Sequence, residues 1–224
     1  MYGLTGVLSL IFIFNSTYSD LTIDSKNRVI FLSSRDRIAE DESGKVRFSL
    51  DSMFAPLSIS SSSFSIWVTS ASEFISQKYS LWGELLGELD IGGNDIDADE
   101  KGVLIAGEKS YLIQIITGAR ISVTKKERKL CALSNDSLYL YGDDTLRIFK
   151  RDGKFIRKEF IPGVKDLCLF NKKLCFLFND SLVLNDTVLT VFGGKRAEGN
   201  DKFIAVLTDS GIVYYPRPPK IGRR

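Results

Sequence analysis

The 224-residue chain contains no histidine. That absence removes the Ser-His-Asp and Cys-His catalytic arrangements, the commonest zinc ligand, and the side chain best suited to proton transfer near neutral pH. Cysteine is scarce as well. Cys131, Cys168 and Cys175 are too few, and odd in number, for a disulfide framework, and they lack the spacing of a metal site. Small buried hydrophobes is the expected reading. Cys168 and Cys175 flank the short turn around Asn171 and Lys172 and can face one another across a hairpin, where a bridge needs the closer, non-hydrogen-bonded pairing. No glycine-rich phosphate loop of either common type occurs. Charge of one sign is missing too: 30 Lys and Arg against 28 Asp and Glu leave +2, so no global field favours nucleic acid or an anionic membrane. The local groups, KKERK at 125 to 129 and Lys150, Arg151, Lys154, Arg157 and Lys158, alternate with polar or apolar residues as solvated turns and strand edges do.

Long hydrophobic runs are also absent. The first nineteen residues, MYGLTGVLSLIFIFNSTYS, carry no charge, and their one apolar run, Gly6 to Phe14, falls short of the about 20 residues a membrane-spanning helix needs. Two readings compete for this segment. It has the length of a signal-peptide core, with Thr17 and Ser19 as small residues for cleavage before Asp20, but it lacks the usual basic start. Alternatively, Val7 to Phe14 is a buried strand of the mature fold.

What the sequence does contain is repetition. Six openings recur: LTIDSKNRVIFL from Leu21, LSISSSSFSIWV from Leu57, IDADEKGVLIA from Ile96, LCALSNDSLYLY from Leu130, LCLFNKKLCFLF from Leu167 and AEGNDKFIAVL from Ala197. Their starts lie 36, 39, 34, 37 and 30 residues apart. A fixed period of this size signals a stacked architecture. Each unit opens with a short alternating segment, passes a polar turn and enters a compact apolar run. A third segment then leads through Ser43-Gly44-Lys45, Thr117-Gly118-Ala119 or Arg151-Asp152-Gly153-Lys154 to a fourth. Asp-Gly between apolar runs is a hairpin signal, both central residues of the favoured turn needing positive φ, so the unit is four short antiparallel strands. Residues 73 to 89 could instead fit a helix through Phe74, Tyr79, Trp82 and Leu86, but strands are preferred, with Gly83 and Gly87 as breakers.

The second segments, 29 to 32, 66 to 68, 103 to 106, 138 to 141, 174 to 178 and 203 to 207, are apolar at consecutive positions, so both faces must be covered. A barrel wall or two-sheet sandwich would alternate instead. Sheets stacked radially cover both faces of each, which is an all-β propeller of six short blades with up to four strands apiece. Five longer blades are the alternative count. The pattern resembles the six-bladed propellers of the NHL-repeat and SMP-30-like group, through the LTIDSKNRVIFL-type opening and the Asp-Gly-Lys turn, over residues 20 to 216. After GIVYY at 211 to 215 the chain meets PRPP, a stop for a sheet ladder, so the last blade is incomplete and 217 to 224 form a basic tail. Propellers of this kind close when the N-terminus completes the last blade, and VLSLIFIF is the candidate for that strand.

The resemblance brings metal-dependent lactonases into view, whose carboxylate and amide ligands converge at the central channel. In this chain Asp24, Ser60, Asp99, Ser134, Asn171 and Asn200 occupy comparable phase. Their mixed chemistry does not match a shared ligand set, so no catalytic, cofactor or metal role is assigned, and Asp24, Asp99, Asn171 and Asn200 stand as channel candidates only. In NDIDADE, Asp95, Asp97 and Asp99 alternate on one strand face, but Glu100 and Ala106 stand where an EF-hand loop needs Gly and Glu. The Asn-x-Ser/Thr sites at Asn15, Asn135, Asn179 and Asn185 read as turns, glycosylated only in a eukaryotic secretory pathway. Trp67, Trp82, Tyr141, Tyr214 and Tyr215 are candidate anchors, most of them better suited to packing between blades. The expected protein is a monomeric, non-catalytic scaffold, periplasmic or secreted, that binds a protein or surface glycan through loops on one face. A lactonase-like metal-dependent hydrolase is the alternative. Neither nucleic acid nor a membrane span in the mature chain is expected.

Overall fold

The structure, a computed structural model, describes residues 18–50, 55–185 and 187–216. The expectations for the leader or closing strand up to residue 17 and for the tail 217–224 lie outside them.

Every described element is a strand, and the strands form six separate antiparallel sheets, each wound as a meander. The first contains β1 (Asp20–Ile23), β2 (Val29–Ser33), β3 (Ile38–Asp41) and β4 (Val46–Ser49). The second contains β5 (Ser58–Ser61), β6 (Ser65–Ser70), β7 (Ile75–Ser80) and β8 (Leu85–Leu89). The third contains β9 (Asp95–Ala98), β10 (Gly102–Ala106), β11 (Ser110–Gln114) and β12 (Arg120–Thr124). The fourth contains β13 (Leu130–Leu133), β14 (Ser137–Gly142), β15 (Thr145–Lys150) and β16 (Phe155–Phe160). The fifth contains β17 (Asp166–Phe170), β18 (Lys173–Leu177), β19 (Ser181–Leu184) and β20 (Thr187–Thr190). The sixth has three described strands, β21 (Gly194–Gly199), β22 (Phe203–Thr208) and β23 (Gly211–Pro216).

The apolar side chains do not meet in one core. They gather in six clusters, one in each gap between adjacent sheets. Ile30, Leu32 and Phe48 of the first sheet pack against Ile59, Ile66 and Tyr79 of the second, and so on round the ring. The ring closes where Leu21, Val29 and Phe31 meet Ala205, Leu207 and Ile212 of the sixth sheet. This is why the second strands are apolar at consecutive positions: β2, β6 and β10 are buried at every residue because each face meets a different neighbour. The protein is a six-bladed β-propeller, with β1, β5, β9, β13, β17 and β21 innermost.

Residues 73 to 89 form β7 and β8, joined at Gly83. Gly87 does not break the strand. It lies within β8 opposite Lys78. The outer hairpins also differ from the two-residue turn expected. At residues 41 to 45, 80 to 84 and 150 to 154 only the glycine has positive φ, the preceding residues being ordinary, and the ladder register shifts at the strand that follows. That is a type I turn with a glycine bulge, which absorbs one extra residue. Asn171 and Lys172 do have positive φ at both positions, and they alone of the anticipated turns form the tight two-residue type. Cys168 pairs with Cys175 across this hairpin, and all three cysteines are buried free thiols.

Candidate functional site

Each innermost strand presents an edge of unpaired backbone groups to the axis, which must be satisfied. The side chains at the starts of these strands supply the partners, blade to blade. Asp20 Oδ2 accepts the N–H of Ile59 at 2.9 Å, Asp95 Oδ2 that of Cys131 at 2.7 Å, Asp97 Oδ2 that of Leu133 at 2.6 Å and Asp166 Oδ2 that of Ala197 at 2.7 Å. Ser58 and Ser60 donate their hydroxyls to Asp95 and Asp97. One cation balances the group: Arg196 Nη1 lies 3.3 Å from Asp166 Oδ1, and its Nε 3.7 Å from Asp20 Oδ1.

So many acids in so little solvent cannot all ionise. Burial pushes Asp95 up to about 6, Asp97 to about 7 and Asp166 to about 8, against the pull of their hydrogen bonds and, for Asp95 and Asp166, of Arg196. Burial also raises Asp20, and with neighbouring acids it raises Glu198. Arg196 moves the other way from what burial alone would do, because Asp20, Asp166 and Asp95 hold its charge. The space left among these groups is 20 Å³, room for about one water. At this level the channel is nearly filled by its own side chains.

The channel's wider end is made by the six β1–β2-type turns. A cleft of 610 Å³ lies over the first, second, third, fourth and sixth blades and another of 460 Å³ over the third to sixth, and Asp99, Asn135, Asn200 and Asp201 line both. The structure thus brings Asp24, Asp99, Asn171 and Asn200 to one mouth, though above the channel and not in it. Their polar atoms are largely spent on local structure. Asp24 accepts the amides of Lys26 and Arg28 and pairs with the Arg28 guanidinium at 2.6 Å. Asp99 accepts the amides of Lys101 and Gly102 and takes both Nη atoms of Arg151, at 2.5 and 3.0 Å. Asn200 closes its turn through Lys202 and Phe203 and reaches Asn27. In the fourth blade Ser134 opens the equivalent turn, accepting the N–H of Ser137. In the second, Ser62 and not Ser60 does so, since Ser60 points into the channel wall. Among the described residues, no three His, Cys, Asp or Glu side chains are arranged to hold a metal ion.

Of the five aromatic anchors anticipated, Trp67 is buried between the second and third blades, and Tyr141, Tyr214 and Tyr215 bond Asp144, Glu42 and the Thr190 carbonyl. Trp82 alone projects, 73% exposed, at the outer turn of the second blade on the mouth side. Lys26, between the cleft-lining Ser25 and Asn27, sets its ammonium 4.9 Å from the centre of the Trp82 ring. Phe64, beside cleft-lining Ser63, is 77% exposed on the same blade, and Ile116 is 89% exposed on the third. Sequence reasoning did not single out Phe64, Ile116 or the channel groups Asp20, Asp166, Arg196 and Glu198. The acid that starts β1, β9 and β17 was the available signal.

No protein-family model matches the sequence, and no curated protein matches it. Solved structures do match in shape. Virginiamycin B lyase from Staphylococcus aureus superposes with a TM-score of 0.64 at 13% identity, over 87% of this chain and 78% of that one. The Pan2 WD40 domain of Neurospora crassa gives 0.60 at 14%, over 84% and 71%. BamB from Moraxella catarrhalis gives 0.54 at 12%, over 92% and 85%. At such identities the likeness is one of fold: this chain and these proteins share the β-propeller.

Proposed function

We propose that the protein is a non-catalytic propeller scaffold of the cell envelope or exterior that binds a protein or surface-glycan partner at its turn-lined mouth. One observation carries this reading: the mouth joins two open clefts to a rim with exposed Phe64, Trp82 and Ile116, while the channel beneath has room for only about one water. A concave polar surface with a few exposed aromatics, held on six mutually buttressed sheets, is suited to recognition. Chemistry is less well served. Asp24 and Asp99 are engaged by Arg28 and Arg151, and the chain has no histidine. One of the similar structures is a catalytically inactive histidine-to-alanine variant of the Staphylococcus aureus lyase bound to quinupristin. A reaction that depends on histidine cannot be run by this chain. The envelope assignment rests on the uncharged apolar segment at 6 to 14.

The test is affinity capture from native envelope and secreted fractions, with the wild-type chain and a Trp82→Ala, Phe64→Ser double variant. A partner retained by the first and lost by the second supports the reading. A partner held equally by both overturns it.

A further inference from the structure

The rim around Trp82 differs from an ordinary protein-binding patch in three ways. The first is charge. In the 610 Å³ cleft, Asp24 and Asp99 are neutralised in place by Arg28 and Arg151, while Glu100 and Asp201 are each followed in the chain by a lysine that lines the same cleft. The surface therefore offers many hydrogen-bonding groups and little net field, which suits a polar but uncharged ligand. The second is the ring itself. Lys26 sits over one face of the indole in a cation–π contact, while 73% exposure leaves the ring otherwise open. The third is spacing. Phe64 and Trp82 cap the inner and outer hairpins of one blade on the same side. Two strand spacings separate those hairpins, about 10 Å and the length of a disaccharide. The cleft beside them is lined by polar groups, Ser25, Asn27, Ser62 and Asn135 among them, and by the apolar Ile23 and Ala98. A protein interface would be expected to have a contiguous apolar centre there.

We propose that this rim binds a neutral oligosaccharide, with sugar rings stacked on the open face of Trp82 and beside Phe64, and hydroxyls bonded to the serine and amide groups of the cleft. The C–H face of a pyranose is apolar and its rim is polar, which matches an exposed aromatic beside a hydrogen-bonding cleft. This rests on the mouth being the binding face, and it names the partner's chemistry.

The chain's two tryptophans make the test direct, because Trp67 is 6% exposed and serves as an internal reference. The full chain is titrated with cello-, malto- and chitooligosaccharides while acrylamide quenching of tryptophan fluorescence is followed. At least one series is expected to shield Trp82. By titration calorimetry, which does not need the indole as reporter, Trp82→Ala should weaken that binding by about tenfold and Trp82→Phe by less. Phe160→Ala, on an exposed residue of the outermost strand of another blade, should leave it unchanged. Added salt should have little effect, since the ligand carries no charge. The inference falls if no neutral sugar shields Trp82, if Trp82→Ala binds as well as wild type, or if only acidic polysaccharides bind and do so salt-dependently. Should the sugars fail while the Trp82→Ala, Phe64→Ser variant still loses a captured protein, the mouth remains the binding face and only the carbohydrate assignment is lost. Failure of both removes both.

Discussion

Asp95 of β9 accepts the main-chain N–H of Cys131 in β13 at 2.7 Å, so a carboxyl of the third blade does for the fourth what a neighbouring strand would otherwise do. The axis of the propeller is held by such bonds, and two of the testable consequences follow from the cost of placing acids there.

Stability should depend on pH in the unusual direction. Asp95, Asp97 and Asp166 have folded values of about 6, 7 and 8, above the roughly 4 of an unfolded aspartate. The folded chain therefore holds more protons than the unfolded one, and stability falls as pH rises through those values. Below about 4 both states are protonated and no further gain follows. Melting temperature, measured across pH 5 to 8.5, is expected to drop steadily, and Asp97→Asn should flatten the curve. A melting temperature that climbs with pH across this range rules the account out.

Removing Arg196, the cation that the channel acids share, should be costly. Arg196→Met leaves Asp20 and Asp166 without their shared partner, and breaking a buried pair in this way costs about 3 kcal/mol. The loss should be smaller at pH 5, where the acids can protonate, than at pH 8. Urea denaturation at both values measures it, and equal losses would mean that Arg196 does not act through charge.

Two glycines of equivalent outer turns should respond differently to alanine. Both have positive φ, +76° at Gly44 and +94° at Gly83. An added Cβ at Gly44 meets nothing within 4 Å, so only the backbone cost of about 1 kcal/mol is expected. At Gly83 it would lie 2.4 Å from the Arg47 carbonyl oxygen of the first blade. Gly83→Ala should cost about 2–4 kcal/mol by chemical denaturation. Similar losses at the two positions would show that the first and second blades are not in contact there.

Alkylation of the unfolded, unreduced protein should modify all three cysteines. Counted outward from the closing pair Phe170 and Lys173, Cys168 and Cys175 fall at a hydrogen-bonded position, the wider of the two kinds of antiparallel pair. A disulfide there would have to distort the ladder. Recovery of one labelled thiol instead of three would establish the bridge.

The residues just ahead of β1 should have a measurable effect. Tyr18 stacks on Phe31 with ring centres 4.9 Å apart and donates to Glu40, while Ser19 bonds the Leu32 carbonyl. A chain beginning at Asp20 should be about 2 kcal/mol less stable than one beginning at Tyr18. Equal denaturation midpoints would show that these contacts contribute nothing. Intact mass of the native protein tells whether the residues before Asp20 are retained.

Much of this was legible before any coordinates. Starts placed at Leu21, Leu57, Ile96, Leu130, Leu167 and Ala197 fall in or within a residue of the six innermost strands. Turn chemistry was readable because Asp24, Asp99, Ser134 and Asn200 act within their own hairpins, through bonds two to four residues away. Errors arose where a shift of one or two residues changes the phase: Ser60 was put in the place that Ser62 holds, and the glycine bulges were taken for two-residue turns. The cluster of charged groups inside the channel was not foreseen, since Asp20, Ser58, Asp95, Asp166 and Arg196 lie in five different blades and nothing local links them.

Apolar strands buried on both faces, spaced by turn residues at a near-constant period, determined by themselves that this chain folds as stacked sheets. That much follows from short-range physics, because hairpins and strand burial depend on residues close in the chain. Which side chains share an axis, how far their protons are displaced, and that Phe64, Trp82 and Ile116 stand on one rim were decided only when the ring closed. Those relationships join residues of different blades, and no local pattern of residues can specify the distance between them.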